Sequence, residues 1–473
     1  IASCLVGSEM CIRDRYDLDL TSLYPSIIMT VNISPETKIG KIQDWDVQKY
    51  LNKEIDTYYI GEDSISKENL KEYLDKSKFA VASNGVLYRT DQVGCIPGIL
   101  DLWFQKRVEY KNEMKKYGKA GDKEKYAFFH KRQLVQKILL NSLYGVLGLP
   151  AFRFYDVDNA TAVTTTGQTV IKSTADMANI KYNKELGNPD LDSNIYIDTD
   201  SVFFSAVPLM DKRFPNWKDE EQVVIAGYVD DIAGEMQDYL NDFYDIMSEK
   251  IFNVDKDKHR LEIKKEYVAK AGLWIAKKRY AQWIISDNGV PCDKLDVKGL
   301  DVKRSSFPKA FQECMGKVLI DILRGVSEEE LTKYVLDFKK DMENRPNSEI
   351  AKNTAVKNLK KYMPKGKRVP FTTMKGTPAH VKAAIAYNDL ITHFKVPYKY
   401  GPMVNGDKVK WVYLKDNPLG LDGLAFTGYN DPPQIEEFIE TYIDRNKIFE
   451  RELRFKLQAV SYTHLRAHET RGN

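Results

Sequence analysis

The sequence has few cysteines, and none of them is arranged as a metal-binding or disulfide framework. Five of its 473 residues are cysteine. Cys4 and Cys11 fall in an N-terminal segment that we interpret as foreign, which leaves Cys95, Cys292 and Cys314 without any CxxC spacing. This usage predicts a reduced, intracellular protein without disulfides or a zinc site.

Long apolar runs and a large excess of one charge are also lacking. No stretch of about 18 or more apolar residues occurs, so the sequence does not indicate a membrane span or an export signal. The 71 basic and 68 acidic residues give a formal net charge of only +3. A balance this even does not identify a polyanionic partner, although local clusters of lysine remain compatible with one.

Both ends of the chain are interpreted as translated adapter sequence rather than natural protein. One DNA that encodes Cys4 to Arg15 has a reverse complement that encodes Val460 to Thr470 in a single frame. Two unrelated protein ends are not expected to be complementary strands of one oligonucleotide. We therefore expect residues 1–15 and 460–473 to be artefact, and the natural segment, about 16–459, to be a fragment.

That segment is longer than a typical domain of about 100 to 200 residues, which predicts two or three subdomains. Residues 97–118 show helical spacing between a proline and a glycine, and a second helical pattern covers about 122–144. The short loop between them predicts an antiparallel helical hairpin. The apolar, β-branched stretch from Ile195 to Val207 predicts strand, tight turn and strand around Asp-Thr-Asp.

Residues 260–303 show short strand patterns, and the chain beyond Ser305 is predicted to be mainly helical. Pro308 to Arg324 is amphipathic, and Ser327 with Glu330 predicts a capping box for the next helix. Further helices are predicted near 380–394 and 433–457. The fold class predicted from this pattern is α+β.

The first motif with chemical meaning is IDTDS, which contains Asp198 and Asp200. On a strand, residues i and i+2 point to the same side. Two close carboxylates repel each other unless a cation lies between them, and Mg²⁺ favours such oxygen ligands. The alternative is a hairpin turn whose aspartates only cap backbone amides.

The second motif is DLTSLYPSII, which begins at Asp19. A chain that leaves a strand through such a turn presents backbone amides that suit a triphosphate. Tyr24, expected to be extended before Pro25, could present its ring to a sugar. The alternative is an ordinary core tyrosine at a turn.

The third motif is KILLNSLYG, on the second helix of the predicted hairpin. Lys137 and Asn141 are i,i+4 neighbours, and Arg107 and Lys111 have the same spacing on the first helix. Antiparallel packing would direct these four side chains into one groove that suits a nucleoside triphosphate. The alternative is a solvated basic helix face.

In this order, DxxSLYPS, KxxxNSxYG and YxDTDS resemble the A, B and C motifs of family B DNA polymerases. They lie at Asp19 to Ser26, Lys137 to Gly145 and Tyr196 to Ser201. Further stretches resemble the T-even bacteriophage branch of that family; they are VNISPETKIG (31–40), GLWIAKKRYAQ (272–282), KGLDVKRSSFPKA (298–310) and NPLG (417–420).

The resemblance implies a right-hand polymerase with an antiparallel-sheet palm, helical-hairpin fingers and a mainly helical thumb. It implies palm at 16–96 and 146–304, fingers at 97–145 and thumb at 305–459. It also implies template-directed addition of dNTPs to a primer 3′-hydroxyl, with release of pyrophosphate. The implied mechanism uses two Mg²⁺ ions, for which Mn²⁺ is a possible substitute.

Site residues follow from the resemblance position by position. The ions would be held by Asp19, Asp200 and the backbone carbonyl of Leu20, with Asp198 in support and Glu266 as a possible extra acid. Catalysis would also use Lys137. Nucleotide contacts are implied for Ser22, Leu23, Tyr24 as the steric gate against ribose, Arg107, Lys111, Lys137, Asn141 and Tyr144. DNA contacts are implied for Lys277, Lys278, Arg279, Tyr280, Lys303, Arg304 and Lys309.

The resemblance further implies primer-template DNA and dNTPs as substrates, and a sliding clamp and a single-strand-binding protein as partners of the parent enzyme. It implies a virus-encoded protein in the cytoplasm of an infected bacterium, without a membrane partner. We expect the proofreading exonuclease and the C-terminal clamp-binding peptide to lie outside this segment. Two alternatives remain open: a protein-primed family B polymerase, and a catalytically inactive DNA-binding relative.

Overall fold

A computed structural model describes residues 11–364 and 369–457. The chain forms two compact units, which are described separately below. The first unit contains Asp14–Val268 with Ile285–Cys292, and the second contains Ala269–Ile284 with the chain from Asp293 onward. Both combine helices with antiparallel strands, which confirms the predicted α+β class. No helix in the described ranges is long and apolar enough to cross a membrane.

Strands β1 to β11 run from the first unit to the start of the second. They are β1 (Cys11–Leu20), β2 (Lys38–Lys41), β3 (Thr57–Ile60), β4 (Asp63–Ser66), β5 (Phe79–Val81), β6 (Val86–Arg89), β7 (Asn194–Asp198), β8 (Ser201–Ser205), β9 (Ile263–Ala276), β10 (Arg279–Asp287) and β11 (Val290–Lys298). In the first unit the order in the main sheet is β9-β1-β8-β7, with β1 antiparallel to β8 and β8 antiparallel to β7. Strand β9 is divided between the units at Val268, and in the second unit the order is β11-β10-β9.

The helices of the first unit include four long ones, of which the sequence predicted two. They are α1 (Leu23–Val31), α2 (Val47–Leu51), α3 (Leu70–Ser77), α4 (Cys95–Lys119), α5 (Lys123–Leu147), α6 (Val157–Leu186), α7 (Val207–Arg213) and α8 (Gln222–Met247). Helices α4 and α5 pack against each other as the predicted hairpin, and Asp122 caps α5 by accepting the amide of Lys125. Helices α6 and α8 were not predicted, although buried side chains recur at helical spacing in both and α6 begins after the capping residue Asp156 and ends at Gly187.

Between α1 and α4 the chain forms a small lobe with its own core. Strands β2, β6 and β5 make one antiparallel sheet, and β3 with β4 makes a hairpin. Their apolar side chains pack on α3 in a cluster that includes Ile42, Tyr58, Leu70 and Leu87. Lys38 joins this lobe to the start of α6, because its ammonium group lies 3.0 Å from Asp156 and 2.8 Å from Asp158.

The second unit contains the remaining helices and a small sheet. The helices are α9 (Lys309–Arg324), α10 (Glu328–Asp341), α11 (Asn347–Ile350), α12 (Leu359–Tyr362), α13 (Ala379–His393), α14 (Pro433–Tyr442) and α15 (Arg445–Phe449). The sheet has the antiparallel order β12 (Lys352–Ala355), β13 (Lys408–Tyr413) and β14 (Gly423–Phe426). One apolar core, which includes Phe311, Leu319, Leu390, Trp411 and Leu424, packs these elements together.

Several secondary-structure predictions are confirmed in this unit, and two need correction. Helix α9 begins after Pro308, and the hydroxyl of Ser327 accepts the amide of Glu330 as the capping box requires. The predicted helix at 433–457 is interrupted, because Ile443 forms an antiparallel bridge to Leu414. The small sheet was also missed. Its strands are short, and up to about fifty residues of other structure separate them. The alternation of apolar and polar residues within one short segment therefore does not predict this sheet.

The segments interpreted as adapter lie mainly outside the described residues. At the N-terminal end, strand β1 begins at Cys11, and Asp14 and Arg15 are buried in the first unit. The structure therefore describes part of this segment but does not test its origin.

Candidate active site in the first unit

Asp19 lies half-buried near the end of β1, where it pairs across the sheet with Ser201 of β8. The Ser201 hydroxyl donates a 2.8 Å hydrogen bond to Oδ1 of Asp19. Burial, followed by the charge of Asp200, raises the pKa of Asp19 to about 7, while the Ser201 hydrogen bond and the charge of Lys137 oppose this rise. The site thus holds an acid whose charged form needs cationic support.

A tight turn places Asp200 against the end of β1. Thr199 adopts a left-handed conformation with φ of 61°, and the Asp200 amide donates a 2.7 Å hydrogen bond to the carbonyl of Asp198. The Asp200 carbonyl accepts a 2.8 Å bond from the amide of Leu20. Burial raises the pKa of Asp200, and the charges of Asp198 and Glu266 raise it further.

The carboxyl groups at this turn act on one another electrostatically. Among the residues that the structure describes, no group of three or more His, Cys, Asp or Glu side chains is arranged to hold a metal ion. Asp198 ends β7 and Asp200 lies in the tight turn before β8, where Thr199 is left-handed, so that the two aspartates are not on one continuous strand. Asp19 and Asp200 remain electrostatic neighbours, and one or two carboxylates are the set that Mg²⁺ uses together with water and phosphate oxygens. The residues present therefore fit a hard divalent cation.

Arg107 of α4 reaches the turn that follows β1. Its Nη1 donates a 3.1 Å hydrogen bond to Oγ of Ser22, which precedes α1 in a left-handed conformation with φ of 49°. Burial lowers the pKa of Arg107, and the charge of Asp19 opposes that shift. The first helix of the hairpin thus contacts the Ser22 turn.

Lys111 and Lys137 share the same surface. Burial, and then the charges of Arg107, Lys115, Lys137 and Lys264, lower the pKa of Lys111. Lys137 also acts on the carboxyl groups of Asp19 and Asp200. A concentration of cations beside carboxylates suits a ligand that is anionic and is itself bound through a metal ion.

Tyr24 and Tyr144 form an aromatic pair at the base of the hairpin. Their ring centroids are 4.4 Å apart with an interplanar angle of 45°. Asn141, three residues before Tyr144 on α5, is exposed. The expectation that Tyr24 is extended was wrong, because α1 begins at Leu23 and both Tyr24 and Pro25 lie in its first turn, where proline is tolerated.

The KKRY stretch forms the turn between β9 and β10 in the second unit. Lys277, Lys278 and Arg279 are exposed, and Lys278 has a left-handed φ of 60°. Tyr280 is only 4% exposed, and its ring stacks on Trp274 at 6.0 Å. The structure thus buries the Tyr280 ring in the second unit, and its implied contact with DNA stays a prediction.

Three more predicted DNA contacts lie further along the second unit. Lys303, Arg304 and Lys309 are exposed. Arg304 pairs with Asp301 at 3.1 Å, and Lys309 lies 4.0 Å from Glu313. Exposed pairs of this kind are weak, so these cations remain available to phosphates.

Sequence reasoning missed two residues that position the site. Ser201 was quoted only as part of its motif, yet its hydroxyl orients Asp19. Gly167 of α6 packs under Tyr24, because a Cβ placed there would lie 3.2 Å from the tyrosine ring. The pairing of β1 with β8 could have indicated Ser201, whereas nothing local marks Gly167.

The fold and the site define an α+β protein with a carboxylate and cation surface suited to a metal-bound anion. Residues 16–213 and 231–445 match the model of DNA polymerase family B. Because the match covers more than half of the chain, the protein belongs to that family.

Its similarity to two phage proteins extends over most of the chain. The DNA-directed DNA polymerase of Enterobacteria phage T4 is 28% identical over 93% of this chain and 53% of its own length. That of Escherichia phage RB69 is 28% identical over 88% of this chain and 50% of its own length. An archaeal DNA polymerase, from Thermococcus gorgonarius, is 26% identical over 74% of the chain.

These relatives confirm the resemblance to the T-even phage branch. The chain spans about half the length of the two phage relatives.

Proposed function

We propose that this chain carries the nucleotidyl-transfer site of a DNA-directed DNA polymerase that acts in phage genome replication. The observation that carries the proposal is the contact between the α4–α5 hairpin and the Asp19–Asp200 turn. It puts cations that suit a triphosphate beside carboxylates that suit divalent ions. On this proposal, the palm covers 16–96 and 146–304, the fingers cover 97–145, and the thumb covers 305–459.

The metal site would be formed by Asp19, Asp200 and the carbonyl of Leu20, with Asp198 in support. Two Mg²⁺ ions, or Mn²⁺ in their place, would supply activation of the primer 3′-hydroxyl and stabilisation of the leaving pyrophosphate. The Ser201 hydroxyl holds one oxygen of Asp19, so the carboxyl group meets an arriving cation in a fixed orientation.

The hairpin would bind the nucleotide. Arg107, Lys111 and Lys137 present cations to the triphosphate, and the turn at Ser22 and Leu23 presents backbone amides. Charge-assisted contacts of this kind orient the phosphate chain as well as attract it.

The aromatic pair would form the sugar and base pocket. Tyr24, supported by Gly167 and Tyr144, would occupy the space that a ribose 2′-hydroxyl requires, and Asn141 would line the nascent base-pair pocket.

The exposed cations of the second unit would bind primer-template DNA by its phosphates. Those cations are Lys277, Lys278, Arg279, Lys303, Arg304 and Lys309. Such contacts carry no sequence information, as replication requires. Tyr280 would stabilise the turn that carries three of them. A sliding clamp and a single-strand-binding protein would act with the parent enzyme in the cytoplasm of an infected bacterium.

Primer extension tests the proposal directly. The purified chain is expected to extend a primed template with dNTPs and Mg²⁺, and Asp200→Ala is expected to reduce the rate by about a thousandfold or more, since it removes a metal ligand. Duplex binding should be retained, because Asp200 repels phosphates. A normal extension rate in Asp200→Ala would contradict the metal assignment. Duplex binding without extension by the unsubstituted chain would instead favour the inactive DNA-binding relative.

A further inference from the structure

The peptide unit between Leu20 and Thr21 is held from both sides at the end of β1. The Leu20 amide donates to the carbonyl of Asp200 at 2.8 Å, and the Thr21 amide donates to the carbonyl of Glu262 at 2.8 Å. In a trans peptide unit, the carbonyl of one residue and the amide of the next point in opposite directions. The bond from Thr21 to Glu262 therefore turns the Leu20 carbonyl away from Glu262, to the side on which the Asp200 carbonyl lies.

This direction matters because the Leu20 carbonyl would be a ligand of the proposed metal site. A backbone carbonyl swings with its peptide plane, so it suits a cation only when a neighbouring contact fixes that plane. The carbonyl of Glu262 makes this contact, while the side chain of Glu262 is paired with Lys264 at 2.9 Å. Whatever holds the chain at Glu262 therefore also sets the direction of the Leu20 carbonyl.

His259 holds the chain three residues before Glu262. Its side chain is only 8% exposed. Its Nδ1 accepts a 3.1 Å hydrogen bond from the amide of Leu261, and its Nε2 lies 2.8 Å from Oδ1 of Asp245 on α8. Because an amide can only donate, Nδ1 carries no proton, and the ring proton on Nε2 is donated to Asp245. The imidazole thus joins α8 to the turn that leads into Glu262.

Two further contacts restrain the same segment. The amide of Arg260 donates to Oγ1 of the buried Thr30 in α1 at 2.9 Å. The side-chain amide group of Asn241 on α8 accepts the amide of Ile263 at 2.9 Å and donates to the Ile263 carbonyl at 3.0 Å. Residues 259–263 are thus tied both to α1 and to α8, which limits how far they can move.

We propose that His259 is a positioning residue for the backbone ligand of the proposed metal site. By accepting the Leu261 amide, Nδ1 holds the turn that presents the Glu262 carbonyl to Thr21, and so directs the Leu20 carbonyl. The purpose of that carbonyl rests on the proposed function, whereas the link from His259 to Thr21 rests on the hydrogen bonds alone.

Two substitutions at His259 separate the roles of its two ring nitrogen atoms. Asparagine keeps an acceptor near the position of Nδ1, and its side chain favours a hydrogen bond to the amide two residues later. Glutamine extends further and places its amide nitrogen near the position of Nε2, toward Asp245. We therefore expect His259→Asn to keep the bond from Leu261 and His259→Gln to lose it. His393→Gln, at an exposed position of α13, is the matched control.

Hydrogen–deuterium exchange of the complete chain, without metal, is the first readout. His259→Gln is expected to speed exchange of the Thr21 amide about fivefold or more, because its acceptor is no longer held in place. His259→Asn and the control should exchange at the unsubstituted rate, and amides in the middle of β1 should stay protected throughout. Equal Thr21 exchange in all four proteins would overturn the inference. Faster exchange along the whole of β1 would show a general loss of stability and would also count against a positioning role.

Primer extension at a series of Mg²⁺ concentrations is the second readout. A misdirected carbonyl ligand weakens metal binding, so His259→Gln is expected to need about tenfold more Mg²⁺ for half-maximal extension. Saturating Mg²⁺ should largely restore its rate, and His259→Asn and His393→Gln should need the normal concentration. A lower rate with an unchanged Mg²⁺ requirement would indicate a structural role only, which would contradict the proposal.

Failure of the inference and failure of the proposed function give different results. An unsubstituted chain that does not extend primers would contradict the proposed function and, with it, the role of the Leu20 carbonyl, but it would leave the Thr21 exchange rates unchanged. An unsubstituted chain that extends primers, with one Mg²⁺ requirement shared by all variants, would contradict the inference alone.

Discussion

At the scale of single residues, Tyr24 shows how a side chain acquires its role from its supports. Its ring is held by Tyr144 on one side and has Gly167 beneath it, on a separate helix. The motif in the sequence identified Tyr24, but it predicted the wrong backbone conformation. The proposed steric-gate role survives that correction, because it depends on where the ring lies and not on the strand or helix that carries it.

Tyr24→Ala is expected to relax the discrimination against ribonucleotides by about tenfold or more, since it opens the space beside the sugar. The measurement is the ratio of kcat/KM for an rNTP to that for the matching dNTP. Gly167→Ala is a graded companion, because its methyl group displaces the ring without removing it. An unchanged ratio in Tyr24→Ala would refute the gate.

The scale of the element is illustrated by the turn between β9 and β10. Gly299 has φ of 65°, and a Cβ at this position would lie 1.8 Å from the carbonyl oxygen of Lys278. The turn that presents Lys277, Lys278 and Arg279 therefore packs against the backbone of residue 299. Only glycine permits both the positive φ and the close approach at this position.

Gly299→Ala is expected to destabilise the fold by about 2 kcal/mol or more and to weaken DNA binding, because the turn must move. Gly121→Ala is the matched control: its φ is 72°, yet nothing lies within 4 Å of its added methyl group. Chemical denaturation of both variants separates the clash from the shared backbone strain. Equal losses would show that the close approach to Lys278 is unimportant.

Helices α6, α7 and α8 are joined by one arginine. Arg213 donates to Glu185 at 2.7 and 2.9 Å and to Glu235 at 3.0 and 2.8 Å. The hydrogen bonds from Arg213 lower the pKa of Glu185. A lowered folded-state pKa gives stability that is present above the unfolded pKa, and this stability is lost as the pH falls through the folded value.

Glu185→Gln is therefore expected to be less stable than the unsubstituted chain by about 1 kcal/mol near pH 7, after allowance for solvent screening. The difference should shrink as the pH falls below the ordinary glutamate pKa and through the lowered folded-state pKa of Glu185, where its carboxyl group becomes protonated. Urea unfolding at several pH values measures it, and a difference that does not change with pH would exclude the ion pair as its cause.

The sequence predicted several elements with strong local signals, but it missed helices α6 and α8 as well as the elements that depend on distant pairing. The α4–α5 hairpin and the capping box at Ser327 are local patterns of period and capping, and both are observed. The β12–β14 sheet joins segments far apart in the chain, and the hydrogen bond between Ser201 and Asp19 spans 182 positions. The strand propensity of a residue does not indicate which distant residue will pair with it.

At the scale of the whole molecule, an even charge balance conceals a local imbalance. The chain has a net charge of +3, yet six exposed cations proposed to contact DNA lie between Lys277 and Lys309. Binding that depends on phosphates releases counterions and weakens as salt rises.

The affinity for primer-template DNA is expected to fall steeply with salt. Replacing Lys277, Lys278 and Arg279 by alanine should reduce the slope of log affinity against log salt by about 2 to 3, close to one for each phosphate that is no longer neutralised. Fluorescence anisotropy at several salt concentrations measures the slope, and Lys76→Ala, at an exposed position of α3, is the control. A slope that the triple substitution leaves unchanged would remove the turn from the DNA interface.

The hydrogen bond from Arg107 to Ser22 has a consequence for selection among nucleotides. The guanidinium group has the Ser22 hydroxyl as a neutral partner, so on the proposed function a phosphate that binds Arg107 would compete with that hydroxyl. Exchanging a neutral acceptor for a charged one gains about 1 kcal/mol. A ligand with one phosphate replaces few neutral acceptors by charged ones, whereas a triphosphate replaces several at once. On the proposed function, this hydrogen bond would act as a threshold that favours a triphosphate over a ligand with a single phosphate.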